Sequence, residues 1–377
     1  MKEIYTIISF GNYETKILIS HFINGRIYPV YKTSFLSKNC YNKSKIIDEE
    51  TLLKIFKDEL KKIPINIEKT NIIFNLPIKK LIIKDYKSLS FKINSVLTRQ
   101  MWNEIFYLTN KENVNEEKVL LDAKCYKIFY NNNWSKNIPY GKTIEKMNFE
   151  SKQYFIKQND LSCYEKIANK LDLKVKAYLC DSLVMNKLFG HKNKPFKLLI
   201  NVGHLESMFE LYENSILLSQ DSILFGIKNL TSVICKNVNI DESIAVDLLN
   251  IYRDLANIDE EIPLVNHFKE KFLNYSQTKI KDISEMINKW ILNLVSHIEN
   301  QVHDYLNNGI VIDDIYIYSS STFFKTWMNN IKDLLSFSAN IICLESNFIG
   351  ISESKYISLI ATAIHFKMGN NNFTFMQ

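Results

Sequence analysis

The chain has 377 residues, a net charge of +6, and 46% hydrophobic against 23% charged residues. That balance excludes a disordered or fibrous chain, and the length accommodates two domains or four smaller subdomains. No apolar run reaches the roughly 18 residues that a membrane-spanning helix needs.

In chain order, the N-terminus enters a strand at once, so no signal peptide is expected. "TIISFGNYETKILIS" (6–20) reads as strand, tight turn at Gly11, strand, followed by a second turn at Asn24-Gly25. Leu52, Leu53, Ile55, Phe56, Leu60 and Ile63 predict an amphipathic helix with Asp48 as N-cap. "NIIFNLP" (71–77) reads as a strand ended by proline. Lys79, Lys80, Lys84 and Lys87 form a modest basic cluster, read as a solvated face, with anionic lipid or nucleic acid as the sharper alternative. A helix is expected over 98–109, strands over 118–130 and 142–157 with an Asn-rich turn near their junction, and a capped helix over 159–173. Further helices are expected over 241–256, 281–306 and 355–366, and a strand over 313–321. The six cysteines are scattered without a Cys-x-x-Cys pair, which predicts reduced thiols and no zinc site.

Only nine glycines occur, where ordinary usage would give about twenty-six, so a surviving glycine marks a backbone requirement. Two of them sit in matching contexts. "SFGNYETKILIS" and "NVGHLESMFELY" share apolar, Gly, x, bulky, Glu, Ser/Thr, x, apolar, x, apolar. Each follows an apolar strand and precedes another turn and strand. This predicts a duplicated strand-turn-strand unit and a two-lobed α/β architecture, with a ligand cleft where the hairpin turns face each other.

With these units in this order, the chain resembles FtsA, the bacterial actin-like division protein. "SFGNYETKILI" lies where that family has its first phosphate hairpin. "NVGHLESMFELYENSILLSQDSILFGIKNLTSVI" is similar to its second hairpin and the glycine, here Gly226, that leads into the next helix. "KNIPYGKTIEKM", "NDLSCYEKIANKLDLKV", "IDDIYIYSSSTFFKTW" and "KYISLIATAIHF" fall at corresponding places. The resemblance implies an actin-like fold of the actin, sugar kinase and heat-shock chaperone superfamily, with an inserted 1C subdomain. It divides the chain into subdomain 1A (1–81 and 159–195), 1C (82–158, one helix and two strands), 2A (196–235 and 310–354), 2B (236–309), and a helix with a short tail (355–377) returning to 1A.

The family binds ATP with Mg²⁺, and the carry-over shows that chemistry degraded. The hairpin acids are replaced by Ser9 and Asn201, so less charge organises a metal. Asn12-Tyr13 and His204-Leu205-Glu206 stand where small residues would meet phosphate, and Ser319-Ser320 where paired glycines would admit adenine. Ile244 and Asp247 replace the nucleoside contacts. The vestigial nucleotide cleft is therefore assigned to Gly11, Asn12, Tyr13, Gly203, His204, Ser319 and Ser320, with no cofactor certain and hydrolysis not expected.

The implied function is a cytoplasmic division scaffold at the inner face of the membrane. It would bind the C-terminal tail of FtsZ through 2B, with Glu285, Lys289 and Asn293 as candidate contacts, and self-associate through 1C. Its membrane contact is expected to be indirect or weak, because the tail "MGNNNFTFMQ" is too short for a stable amphipathic helix. No nucleic acid is expected. Two alternatives share the fold. One is an active ATPase or kinase, with Asp181 as base; a helix cap explains that residue more simply. The other is a pilus-assembly or cell-shape adaptor.

Overall fold

The computed structural model describes residues 3–23, 26–37, 40–42, 45–78, 80–111, 117–189, 195–255, 263–268, 275–319, 321, 324–337, 340–343 and 354–369. Asn24-Gly25, Lys79, Ser320 and the tail from residue 370 lie outside the described residues.

Two five-stranded sheets repeat one plan. The first runs in the order Val175–Cys180, Asn71–Leu76, Glu3–Ser9, Glu14–Ile23, Arg26–Leu36. Its last three strands are an antiparallel meander and its first two join in parallel. The second sheet mirrors that order with Asn340–Cys343, Asp314–Ser319, Phe196–Val202, Ser207–Glu213 and Ile216–Ile223. Gly11 and Gly203 thus occupy the same turn of each sheet, as the shared pattern predicted. The meander turn after Glu213 uses Asn214 and Ser215 at positive φ (49° and 70°), which suits the twist of a two-residue hairpin.

The strands are apolar on both faces because helices cover both faces. Ile7, Ile8, Ile17, Leu18, Ile19, Ile73 and Phe74 are all buried in the first lobe. The Glu49–Lys62 helix starts where the sequence placed it: the Thr51 amide donates to Asp48 Oδ1 at 3.0 Å, and Leu52 and Phe56 are buried. In the second lobe the long helix Ile280–Asn307 buries Ile283, Ile287, Trp290, Ile291, Leu294, Val295, Ile298 and Val302 along one stripe. Helix Ile357–Gly369 returns to the first lobe, where Leu359, Ile360, Ala363 and Phe366 are buried.

Within the first lobe's sequence, between its strands Asn71–Leu76 and Val175–Cys180, strands Ile82–Lys87, Phe91–Val96, Lys118–Tyr130, Asn133–Ser135 and Thr143–Lys157 form a separate sheet. Helix Arg99–Lys111 covers one face of it, packing Trp102 edge-on and Phe106 tilted against Phe149 at centroid distances of 5.4 and 5.2 Å. The expectation of one helix and two strands is corrected here. "IIKDYK" and "FKINSV" are strands too, and each is short and interrupted by lysine or asparagine, so neither carries enough β-branched or aromatic alternation to stand out. The Asn-rich turn also contains a strand: Asn131 and Asn132 take positive φ and fold Asn133–Ser135 back onto Ile128–Tyr130. Among the described residues, no helix is long and apolar enough to cross a membrane.

Candidate functional site

The two glycine turns face each other across a cleft of about 310 Å³. Each turn is built by close backbone approach. A Cβ on Gly11 would stand 2.6 Å from the Glu14 carbonyl oxygen, and one on Gly203 would stand 2.7 Å from that of Glu206. Neither distance is available to a real side chain, so both turns exclude every other residue. The first turn is tied to its lobe by the Phe10 amide donating to the Asn75 carbonyl and the Ser37 amide donating to the Tyr13 carbonyl. The second is tied to the following helix, Ile227–Val238, whose Ile227 and Lys228 amides donate to the carbonyls of Gly203 and His204 at 3.1 and 2.7 Å.

The side chains at the turn tips meet. Tyr13 and His204 stack at a centroid distance of 4.4 Å and an angle of 33°, one ring from each lobe. His204 Nε2 lies 3.2 Å from Glu242 Oε1, at the first turn of helix Glu242–Leu255. Tyr13, His204 and Glu242 form a clasp across the mouth of the cleft. Burial raises the Tyr13 hydroxyl above its ordinary value, with Glu242, Glu14 and Asp247 adding to the effect.

Behind the clasp lies a floor of buried ionisable groups. Lys16 is buried, which lowers its pKa against the opposing pull of Glu14 and Asp181. Asp181 accepts from Asn75 Nδ2 at 2.5 Å and from the Tyr318 hydroxyl at 3.4 Å. Burial raises its pKa while those donors and Lys16 pull it back. The cap expected of Asp181 is corrected: the cap position is Cys180, and the Asp181 carboxylate turns into the cleft. Next to it, Glu210 accepts from Ser182 Oγ at 2.5 Å and from the Tyr212 hydroxyl at 2.8 Å. Burial lifts its pKa to about 7 against those hydrogen bonds. The lining therefore carries four carboxyl groups (Glu14, Asp181, Glu206, Glu210) and two lysines (Lys16, Lys355).

Of the residues assigned from sequence, Gly11, Asn12, Tyr13, Gly203 and His204 come together in the cleft. Ser319 is turned away from it: its hydroxyl is buried and donates to the Val202 carbonyl at 2.7 Å, tying two strands. Ile244 is exposed, whereas Asp247 lies near Tyr13. Glu210, Tyr318 and Glu242 were not foreseen. For Glu210 the signal was present, an acid inside the apolar run "SMFELY" of a central strand.

Glu285, Lys289 and Asn293 are all exposed and step by four along the long helix. They line a groove of about 750 Å³ with Phe225, Val233, Met286 and Trp290.

No protein-family model and no curated sequence matches the chain. Solved structures do. A chain of the "PilM-PilN type IV pilus biogenesis complex" superposes with a TM-score of 0.62, covering 97% of this chain and 98% of that one at 10% identity. The fold is that of the actin-like ATPases. The ethanolamine utilization protein EutJ from Carboxydothermus hydrogenoformans matches at 0.54, over 96% and 89% of the two chains at 7% identity. MreB 5 of Spiroplasma citri bound to AMPPNP matches at 0.53, over 98% of both chains at 9% identity. At such identities the likeness concerns the actin-like fold alone, and the cleft has to be read from its own side chains.

Proposed function

We propose that this chain is an actin-fold scaffold that works by contact and does not turn over ATP. The observation that carries the reading is the Tyr13–His204 stack, extended to Glu242. It spans the turns that would otherwise face a nucleotide's phosphates, above an acid-rich floor. Side-chain contacts then hold the two lobes together in place of a ligand.

The partner reading follows the resemblance to FtsA: a division scaffold on the cytoplasmic face of the membrane, taking the C-terminal tail of FtsZ. The groove beside Glu285, Lys289 and Asn293 supports it, since a charged rim over an apolar floor suits a short amphipathic peptide. Self-association through the inserted sheet belongs to the same reading. A second reading, an adaptor in pilus assembly, is favoured by the match to the PilM-PilN complex.

Pull-down of the cognate FtsZ separates them. Binding is expected to require the FtsZ tail and to weaken about tenfold in Lys289→Glu, the scale of one good interface contact. Capture that ignores both the tail and Lys289 would remove the division reading and leave the adaptor.

A further inference from the structure

The inserted sheet holds most of the chain's charge excess. Residues 82–157 contain thirteen Lys and Arg against eight Asp and Glu, a net +5 out of +6, and twelve of the thirteen are lysine. Helix Arg99–Lys111 covers one face of this sheet, and the opposite face carries Lys87, Lys92, Lys127 and Lys146. Trp134, Phe129 and Asn148 form one cross-strand row there, and Lys127, Glu150 and Lys87 form the next. The Lys127 ammonium sits 4.7 Å from the Phe129 ring centre and 5.7 Å from that of Trp134. Lys87 approaches Phe129 at 5.9 Å. These contacts hold ammonium groups over rings at an open surface, with Trp134 60% exposed.

One further feature asks for an anion. Lys146 stands directly opposite Lys92, whereas the Lys152–Lys124 pair already has Asp85 on Lys152 and both Asp122 and the Ser215 carbonyl beside Lys124. Like charges in direct cross-strand register destabilise a sheet unless something negative lies over them. The acids Asp85 and Glu150 are already engaged with Lys152 at 2.8 Å and Lys87 at 3.9 Å. At the margin, Leu89 is 83% exposed in the turn between the first two strands of this sheet, and Val96 is exposed beside Lys142 and Thr143.

We infer that the open face of the inserted sheet docks on an anionic phospholipid surface. Lysines supply the attraction to headgroups, and Trp134 and Leu89 supply side chains suited to the interface. Nucleic acid fits less well, because base and phosphate recognition draws on the forked guanidinium of arginine, and Arg99 is the one arginine in the insertion. The inference stands on this face alone and is independent of the partner reading above.

Flotation of the full chain with vesicles tests it. Wild type should float with equal parts phosphatidylglycerol and phosphatidylcholine, remain behind with phosphatidylcholine alone, and release as ionic strength rises. Combined Lys87→Ala, Lys92→Ala and Lys127→Ala should weaken binding about a hundredfold, from roughly one surface-lysine contribution each. Combined Lys54→Ala, Lys57→Ala and Lys61→Ala on the Glu49–Lys62 helix removes the same charge elsewhere and should leave binding unchanged. Equal flotation on neutral vesicles, equal loss in the two triple variants, or insensitivity of wild type to salt would overturn the proposal. So would binding of a single-stranded oligonucleotide without flotation on the anionic vesicles.

Discussion

Gly226→Ala should cost about 3 kcal/mol of stability or more, at the upper end for forcing extra atoms into a packed site. The backbone there is extended, with φ at −156°, so the requirement is space and not a left-handed conformation. A Cβ would stand 2.6 Å from the carbonyl oxygens of both Gly203 and His204 and 2.9 Å from the Glu206 amide nitrogen. All three are backbone atoms and cannot swing aside. The same residue donates its amide to Asn229 Oδ1 and accepts from Trp290 Nε1 at 3.1 Å. Displacing it therefore disturbs the helix start, the second glycine turn and the core of the second lobe together. Urea denaturation followed by tryptophan fluorescence reads the loss. Gly309→Ala is the comparison: it meets nothing within 4 Å and suffers only from φ at +76°, a cost of about 1 kcal/mol. Equal losses in the two variants would contradict the packing account.

Glu210→Gln should stabilise the protein at alkaline pH. Burial holds the Glu210 carboxyl protonated up to about pH 7, whereas the unfolded chain releases that proton near its ordinary value of 4.5. Between those values the folded state binds more protons than the unfolded state, so stability falls as pH rises, and the penalty is complete above the folded value. The shift corresponds to about 3 kcal/mol. An amide in its place keeps one oxygen to accept from Ser182 Oγ, and the Tyr212 hydroxyl retains the Ser182 carbonyl at 2.6 Å as an acceptor. The variant should gain on wild type between about pH 5 and pH 8 by up to that amount and show no gain at the acid end. Asp122, raised by burial to about 6, slopes the same way in both proteins, so the difference between them isolates Glu210. A constant difference across that range would mean that Glu210 titrates normally.

The duplicated hairpin was legible because glycine is scarce and the apolar positions around Gly11 and Gly203 repeat in register. The long helix was legible because its stripe from Ile283 to Val302 has one core to face. The two leading strands of the insertion were not, since lysine and asparagine interrupt their alternation. The clasp was beyond sequence reasoning for a different reason: Tyr13 and His204 meet only when two separately coded lobes are assembled. Reading His204 and Glu206 as losses of phosphate chemistry gave the direction, while the gain, a ring stack and a histidine–glutamate contact in the same place, arises only in the assembled fold.

The central claim is that side chains have replaced nucleotide in the cleft. Calorimetric titration of the full chain with ATP and Mg²⁺, alongside analysis of any nucleotide released on denaturation, tests it most directly. No released nucleotide and no saturable heat are expected at millimolar ATP, the weak-binding end of the affinity scale at about −4 kcal/mol. Stoichiometric nucleotide in the purified protein, or micromolar binding that displaces the Tyr13–His204 stack, would contradict it.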